Sequence, residues 1–312
     1  MIGISHIASH IPSICMDNIQ LGREFGQSED FIRKKIGAVR LPRKDADEET
    51  SDMAVAAIRK LIEKTNLPFS KIEAIALVTQ NGDGFGLPHT SAILHRKLSL
   101  PPTVAVFDIS LGCSGYVYGL SVLKGFLEAA GMKSGILITA DPYSRIVDRT
   151  DKNTALLFGD AATATLLENG AEWRIGRPLF WTDGAGAEYL RVHDGRLVMN
   201  GRQVFNFAVS NVPRQIVELL EKEGFRQEDM DLYCLHQGSA AIVEAIARHF
   251  PTVKDRFPSG IEATGNTVSS SIPLLLEGFL FDSDINRIVL SGFGVGFSLA
   301  TTILQRKGLC HD

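Results

Sequence analysis

The sequence predicts an α/β protein in which one structural unit is present twice. Short apolar runs alternate with longer helical patterns along the chain, which is typical of α/β proteins. Four segments of the first half also have counterparts in the second half, in the same order. With 45% apolar and 22% charged residues, a chain of 312 residues can bury the sizeable core that such a fold needs.

The apolar runs of strand length are predicted as β-strands. They cover residues 72–78, 104–107, 136–139 and 162–167 in the first half, and 232–235, 287–290 and 297–304 in the second. Helical patterns lie between them, at residues 51–64, 116–130, 209–223 and 239–249. In open α/β sheets, functional sites form where strands end and the following helices begin, so polar residues at these junctions are the candidates for chemistry.

The internal repeat matches strands with strands and helix starts with helix starts. KIEAIALVTQ resembles MDLYCLHQ, and LGCSGYVYGLSVLKGFLEA resembles TGNTVSSSIPLLLEGFL. Further along, SGILITAD resembles INRIVLSGFG, and DAATATLLE resembles GFSLATTIL. A duplicated fold explains four pairs in one order better than chance does. We therefore predict an N-terminal half over residues 1–168 and a C-terminal half over residues 169–312.

Composition excludes several other classes of protein. A net charge of -4 argues against a nucleic-acid binder, and the apolar stretch at residues 272–281 is too short to span a membrane. The first residues lack the basic start and apolar run of a signal peptide. The cysteines form no CxxC pair, which argues against a disulfide framework or a metal site and favours the cytoplasm. They are Cys15, Cys113, Cys234 and Cys310.

Cys113 is the candidate nucleophile. It lies in FDISLGCSGYVYGL, where a predicted strand runs into a turn of small residues and a helix begins at or just after the cysteine. The positive end of a helix dipole and nearby backbone N–H groups favour a thiolate at such a position. A buried structural cysteine is the alternative that local context leaves open. The other three cysteines have no such setting and are interpreted as structural or incidental.

His236 and Asn266 are the candidate polar partners of that cysteine. His236 directly follows a predicted strand, and Asn266 lies in the turn EATGNTVSSS before a predicted helix. Taken singly, the histidine could be a structural residue and the asparagine a helix cap. The repeat places all three residues at equivalent strand ends and helix starts, and it therefore predicts that they converge.

A glycine-rich turn in SGFGVGFSLATTIL joins two predicted strands. Its GxGxG pattern resembles a dinucleotide-binding loop, but no helix follows it, so that interpretation fails. A turn whose backbone N–H groups face a thioester oxygen is the better interpretation.

Taken together, these motifs resemble those of the β-ketoacyl-acyl carrier protein synthase III family, condensing enzymes of the thiolase superfamily. The resemblance runs from DFIRKKIGAVR through GCSG, FGDAATA, NGRQVFNFAV, HQGSAAI and GNT to FGVGF, and so covers essentially the whole chain. It implies a thiolase-like, duplicated fold of five layers, αβαβα, and a homodimer. It also implies CoA or phosphopantetheine thioesters as substrates, acyl-CoA and acyl carrier protein as partners, and no metal or redox cofactor.

The resemblance also implies a two-stage reaction. Cys113 would take an acyl group from a thioester, while its own N–H and one from the turn at Gly294 and Val295 stabilise the oxyanion. His236 and Asn266 would then donate hydrogen bonds to the carbonyl of a malonyl thioester as it loses carbon dioxide. The acyl group would end as part of a 3-oxoacyl chain in fatty acid synthesis or a related specialised pathway.

The family's substrate contacts carry over to a further set of positions. These are Phe31, Lys35, Leu87, Lys152, Phe158, Gly201, Arg202, Phe205 and Gly238. Several of them depart from the family pattern. HQGS replaces HQAN, Ala241 replaces a basic residue, Phe31 replaces a tryptophan, and Lys35 and Lys152 replace arginines. These replacements predict a specialised member with altered recognition of its donor or carrier.

Three other functions stay open at this stage. The acyl group on Cys113 could pass to an oxygen or nitrogen nucleophile or to another metabolite. The chain could be a non-catalytic partner subunit of a synthase pair, although such subunits usually lose the cysteine. A cysteine hydrolase is the third possibility, but Asn266 has no obvious role in hydrolysis.

Overall fold

The computed structural model describes residues 1–84 and 86–308, and Cys310 lies outside them. The β-strands are β1 (Ile2–His10), β2 (Ile14–Asp17), β3 (Arg40–Arg43), β4 (Ala74–Val78), β5 (Ala105–Ile109), β6 (Ser134–Ala140), β7 (Ala162–Asn169), β8 (Trp173–Ile175), β9 (Leu179–Thr182), β10 (Leu190–His193), β11 (Arg196–Met199), β12 (Leu232–Leu235), β13 (Arg287–Gly294) and β14 (Ser298–Arg306). The α-helices are α1 (Asn18–Glu24), α2 (Glu29–Phe31), α3 (Thr50–Thr65), α4 (Thr90–Lys97), α5 (Gly115–Ala129), α6 (Lys152–Ala155), α7 (Gly201–Glu223), α8 (Ala240–Ala247), α9 (Ile261–Thr264) and α10 (Ser271–Glu277). A π-helical turn, Ile32–Ile36, extends α2.

The strands of the two halves lie in separate parts of one large sheet. Its order is β12-β13-β14-β8-β1-β7-β6-β4-β5, with β9 paired to β14. The halves meet where β1 pairs with β8, at Gly3 opposite Arg174 and Ile4 opposite Trp173. A side chain on Gly3 would place its Cβ 2.3 Å from the carbonyl oxygen of Trp173, so this junction requires a glycine. The strand order is that expected of a duplicated chain, and the boundary between residues 168 and 169 stays a prediction.

Helices cover both faces of the two half-sheets and fill the space between them. Helix α3, with α4, packs its apolar face on the first half, and α7 and α8 pack on the second. Helices α5 and α10 lie between the halves, where Leu120 and Leu276 are fully buried in one core with residues of β4 and β13. Counted across the molecule, the layers run α, β, α, β, α. The predicted α/β fold of five layers is therefore confirmed.

The predicted elements are all present, and all but β12 differ from the prediction at one end or both. Helix α7 begins at Gly201 rather than at residue 209, because the side chain of Asn200 accepts the N–H of Gln203 and caps the helix there. The prediction missed β1, which carries Ser5, His6 and other polar residues in place of a continuous apolar run. Within the described parts of the chain, no helix is both long and apolar enough to cross a membrane.

Candidate active site

Cys113 lies in the turn between β5 and α5, two residues before the helix begins. Its side chain is buried, and burial raises the pKa of its thiol to about 12. The nearby Asp141 raises this pKa further, while the backbone N–H groups of Val295 and of Cys113 itself donate to the sulfur and lower it. The expectation that the helix start favours a thiolate was therefore wrong for the resting site. The rise in pKa caused by removing the sulfur from water is larger than the fall caused by the N–H groups that face it.

The turn after β13 lies directly against this cysteine. A Cβ on Gly294 would be 2.8 Å from both Cβ and Sγ of Cys113, so only glycine fits between the turn and the nucleophile. The next residue, Val295, directs its backbone N–H at the same sulfur. One predicted N–H donor was that of Cys113 and the other was an unspecified N–H of the glycine turn. The structure identifies the second as Val295, and both donors are close to the place where a thioester carbonyl would be attacked.

His236 directly follows β12, and the residue is 2% exposed. Nδ1 is 2.7 Å from the hydroxyl oxygen of Ser271, and the ring packs edge-on against Phe293, with centroids 5.4 Å apart. Burial lowers the pKa of His236 to about 3, and the nearby backbone carbonyl of Val268 opposes this shift. The imidazole is therefore neutral near pH 7 and carries a single ring proton.

Asn266 is held in place from the first half of the chain. Its backbone N–H donates to the carbonyl of Leu157 at 2.9 Å, and its own carbonyl accepts the N–H of Gly159 at 3.1 Å. In the side chain, Oδ1 accepts the N–H of Val268 at 2.9 Å. This leaves Nδ2 as the donor, at 3.5 Å from the carbonyl of Gly238 on the wall of the cavity described next. The contacts explain how two distant segments converge at one site.

One cavity of about 190 Å³, with mostly apolar walls, connects these groups. It brings together Cys113, His236, Asn266 and Gly294, as predicted. Seven predicted substrate contacts also line it, namely Phe31, Lys35, Lys152, Phe158, Gly201, Phe205 and Gly238. Arg202 and Leu87 do not line the cavity within this chain. Arg202 is exposed, and Leu87 is 93% exposed at a loop.

Sequence reasoning missed a group of buried polar residues beside the cysteine. The hydroxyl of Tyr143, a cavity residue, donates to Oε1 of Gln80 at 2.9 Å. Oδ1 of Asp141 accepts the backbone N–H of Gln80 at 3.1 Å and Nδ2 of Asn81 at 3.0 Å. Burial raises the pKa of Asp141 to about 7. Gln80 had one usable signal, since the repeat aligns it with Gln237 next to the catalytic histidine candidate.

Fold and site together define the class: a duplicated five-layer α/β protein with a buried cysteine, histidine and asparagine around one cavity. Comparison with known families gives matches to the model for 3-oxoacyl-[acyl-carrier-protein (ACP)] synthase III over residues 107–184 and to the C-terminal model of the same synthase over residues 220–306. A β-ketoacyl-[acyl-carrier-protein] synthase III of Streptococcus agalactiae is 32% identical, over 97% of this chain and 98% of that protein.

Solved structures agree with these sequence matches. A 3-oxoacyl-(acyl-carrier-protein) synthase III superposes with a TM-score of 0.92 at 32% identity, over 97% of this chain and 99% of its own. The β-ketoacyl-[acyl carrier protein] synthase III of Thermus thermophilus superposes with a TM-score of 0.90 at 27% identity. This match covers 98% of this chain and 99% of the Thermus protein. The chain therefore belongs to the 3-oxoacyl-[acyl-carrier-protein] synthase III family of the thiolase superfamily.

Proposed function

We propose that this protein catalyses a decarboxylative Claisen condensation between an acyl group held on Cys113 and malonyl-acyl carrier protein. The donor is an acyl-CoA or acyl-carrier-protein thioester, and the product is a 3-oxoacyl chain for fatty acid synthesis or a related specialised pathway. The observation that carries the proposal is the convergence of Cys113, His236 and Asn266 on one apolar cavity. Membership of the family, whose relatives are named for this activity, supports it.

In the first stage, the sulfur of Cys113 attacks the carbonyl carbon of the donor thioester. A new C–S bond forms, the bond to the donor thiol breaks, and the proton of Cys113 ends on the departing thiol. The negative oxygen formed on the way lies against the N–H groups of Cys113 and Val295. A thiol that is neutral at rest suits this exchange, because no net charge is left in the apolar cavity after it.

In the second stage, the malonyl group loses carbon dioxide and its C–C electrons form an enolate. His236 and Asn266 donate hydrogen bonds to the enolate oxygen, and the enolate carbon attacks the acyl group on Cys113. The thioester bond to Cys113 then breaks, and the sulfur regains a proton from solvent. The electron pair of the broken C–C bond passes through the enolate into the new C–C bond, and the pair of the broken C–S bond leaves on sulfur, so the reaction needs no oxidant or reductant.

We further propose that the protein is a homodimer that forms through the edge of the sheet at β5. This strand ends the sheet order and is only half-buried. Next to it, Val122 and Phe126 of α5 are 42% and 37% exposed. Apolar side chains beside an open strand edge favour covering by another chain. Phe126→Glu should give monomers in sedimentation experiments, whereas Val217→Glu on the outer helix α7 should not. A dimeric Phe126→Glu protein would contradict this interface.

We place the protein in the cytoplasm, where the carrier protein and a reducing environment would both be available. Described cysteines Cys15, Cys113 and Cys234 are free thiols, which suits that environment.

Intact-protein mass spectrometry tests the first stage. The protein is incubated with acetyl-CoA, longer acyl-CoAs and acyl carrier protein thioesters. An adduct of the acyl mass should form on the native protein and on Cys15→Ala, but not on Cys113→Ala. Absence of an adduct with every donor would favour a non-catalytic subunit, and rapid loss of the adduct to water would favour a hydrolase.

Release of labelled carbon dioxide from malonyl carrier protein tests the second stage. Asn266→Ala should still become acylated, while its decarboxylation rate falls by about 10²–10³, the usual cost of one lost donor to a developing oxyanion. An adduct that forms without any carbon dioxide release would overturn the condensation and favour transfer to an oxygen or nitrogen nucleophile.

A further inference from the structure

Ser271, the first residue of α10, is buried behind the ring of His236. Its hydroxyl oxygen lies 2.7 Å from Nδ1 of the histidine and 3.0 Å from the carbonyl oxygen of Val268. The same oxygen is 3.4 Å from the backbone N–H of Gln237, which donates to it. Ser271 is thus in contact with the side of the histidine that faces away from the cavity.

The protonation of His236 decides what the ring can do at the cavity. A neutral imidazole has one N–H, so the nitrogen that carries the proton donates and the other accepts. A Cβ on Gly238, which lines the cavity, would be 3.7 Å from Nε2, so Nε2 is the nitrogen on the cavity side. Stabilising an enolate oxygen requires the proton on Nε2, and Nδ1 must then accept a hydrogen bond.

The hydroxyl proton of Ser271 has two possible acceptors, Nδ1 and the carbonyl of Val268, and that carbonyl would also accept a proton carried on Nδ1 in the competing tautomer. That carbonyl already accepts the backbone N–H of Ser271, and it is the more distant of the two. We propose that Ser271 donates its hydroxyl proton to Nδ1 and so keeps the ring proton of His236 on Nε2. Ser271 is then a positioning residue for the condensation stage. This inference rests on the proposed function and adds to it the residue that fixes the histidine tautomer.

The same turn also fixes the second donor. The N–H of Val268 holds Oδ1 of Asn266 at 2.9 Å, which directs Nδ2 to the cavity. Val268 has a φ of 53°, a left-handed conformation that β-branched residues rarely adopt. Strained backbone of this kind persists where the surrounding structure requires it, often at functional sites. Val268 and Ser271, two residues of the same turn, therefore orient the two hydrogen-bond donors of the second stage, Asn266 and His236.

Replacing Ser271 with alanine tests the tautomer directly. In Ser271→Ala, the carbonyl of Val268 is the remaining partner of Nδ1, so the ring proton should move to Nδ1 and Nε2 should become an acceptor. We expect acylation of Cys113 to stay within a few-fold of the native rate and decarboxylation of malonyl carrier protein to fall by about 10²–10³. Ser271→Thr, which keeps the hydroxyl, should restore most of the decarboxylation.

Ser269→Ala is the matched control, since it removes a neighbouring buried hydroxyl that has no hydrogen-bond partner among the described residues. Both half-reactions should be unchanged in it. The ¹⁵N chemical shifts of histidine-labelled protein report the tautomer without any substrate, and the ring signals missing from His236→Ala identify those of His236. The native protein should show a proton on Nε2, and Ser271→Ala a proton on Nδ1.

These measurements separate failure of this inference from failure of the proposed function. A native protein that releases carbon dioxide but carries its ring proton on Nδ1 would overturn the role of Ser271 and leave the condensation intact. Native decarboxylation rates in Ser271→Ala would do the same. A native protein that releases no carbon dioxide would instead refute the condensation, while its ring spectrum would still decide the tautomer.

Discussion

Gly294→Ala should impair acylation of Cys113 while leaving the fold intact. The new methyl group would lie 2.8 Å from both Cβ and Sγ of the cysteine, whereas carbon atoms in good contact are about 3.5–4.0 Å apart. The turn or the cysteine must therefore move by roughly 0.7–1.2 Å, taking the Val295 N–H away from the sulfur. A misplacement of this size typically costs about 100-fold in rate, so the acylation rate should fall by about that factor.

The effect of the same change on stability should be small. Overpacking of this kind costs about 1–3 kcal/mol, which for a chain of this length corresponds to a fall in Tm of roughly 2–5 °C. Gly278→Ala is the control, because Gly278 is exposed and its new methyl would meet only the carbonyl oxygen of Leu275, at 3.6 Å. Its acylation rate should be native. Time-resolved mass spectrometry of the acyl adduct measures both variants, and equal rates in the two would refute the argument.

Three further changes probe the pocket, the donor and the buried acid. Leu87→Phe should lower activity with longer acyl donors more than with acetyl-CoA, if Leu87 reaches a partner's pocket; equal losses across chain lengths would contradict this. Ala241→Arg should improve saturation by acyl-CoA about five-fold, the value of one contact of about 1 kcal/mol, and an unchanged KM would show that other groups already bind CoA. As pH rises from 4 to 7, the free energy of unfolding of the native protein should fall relative to that of Asp141→Asn. The folded carboxyl, with its pKa raised to about 7, keeps a proton that the unfolded chain releases near pH 3.8, so native stability falls across this window. Melting curves of both proteins at several pH values measure this, and a pH-independent difference would show that Asp141 does not titrate there.

The three central side chains could be predicted from the sequence because the repeat relates them. Cys113, His236 and Asn266 each follow a recognisable strand or precede a recognisable helix, and equivalent junctions of a duplicated sheet meet in space. Ser271 had no such signal. It is one of three consecutive serines, and only the direction of its side chain in the folded turn distinguishes it from Ser269.

Strand β1 was missed for the same reason as Ser271: its local sequence carries no signal of what it contacts in the folded chain. Strands such as β4 and β6 are buried along their whole length and read as continuous apolar runs. Strand β1 lies at the junction of the two halves, where it buries Ile4 and Ile7 but also needs a small residue at Gly3, and polar residues interrupt its apolar ones. A requirement of this kind depends on a partner strand about 170 residues away, which a local pattern does not contain.

The high pKa of Cys113 changes how the helix start contributes to the proposed reaction. If the N–H groups of Cys113 and Val295 stabilised a resting thiolate, they would lower the energy of the ground state and the transition state alike, and would accelerate little. Burial instead keeps the sulfur neutral, with a pKa of about 12, so these N–H groups meet no full charge at rest. Negative charge reaches them only when the carbonyl oxygen of the thioester develops it. The burial that disfavours the thiolate therefore makes the hydrogen bonds from these two N–H groups stronger in the transition state than in the resting site, and this difference is what lowers the barrier.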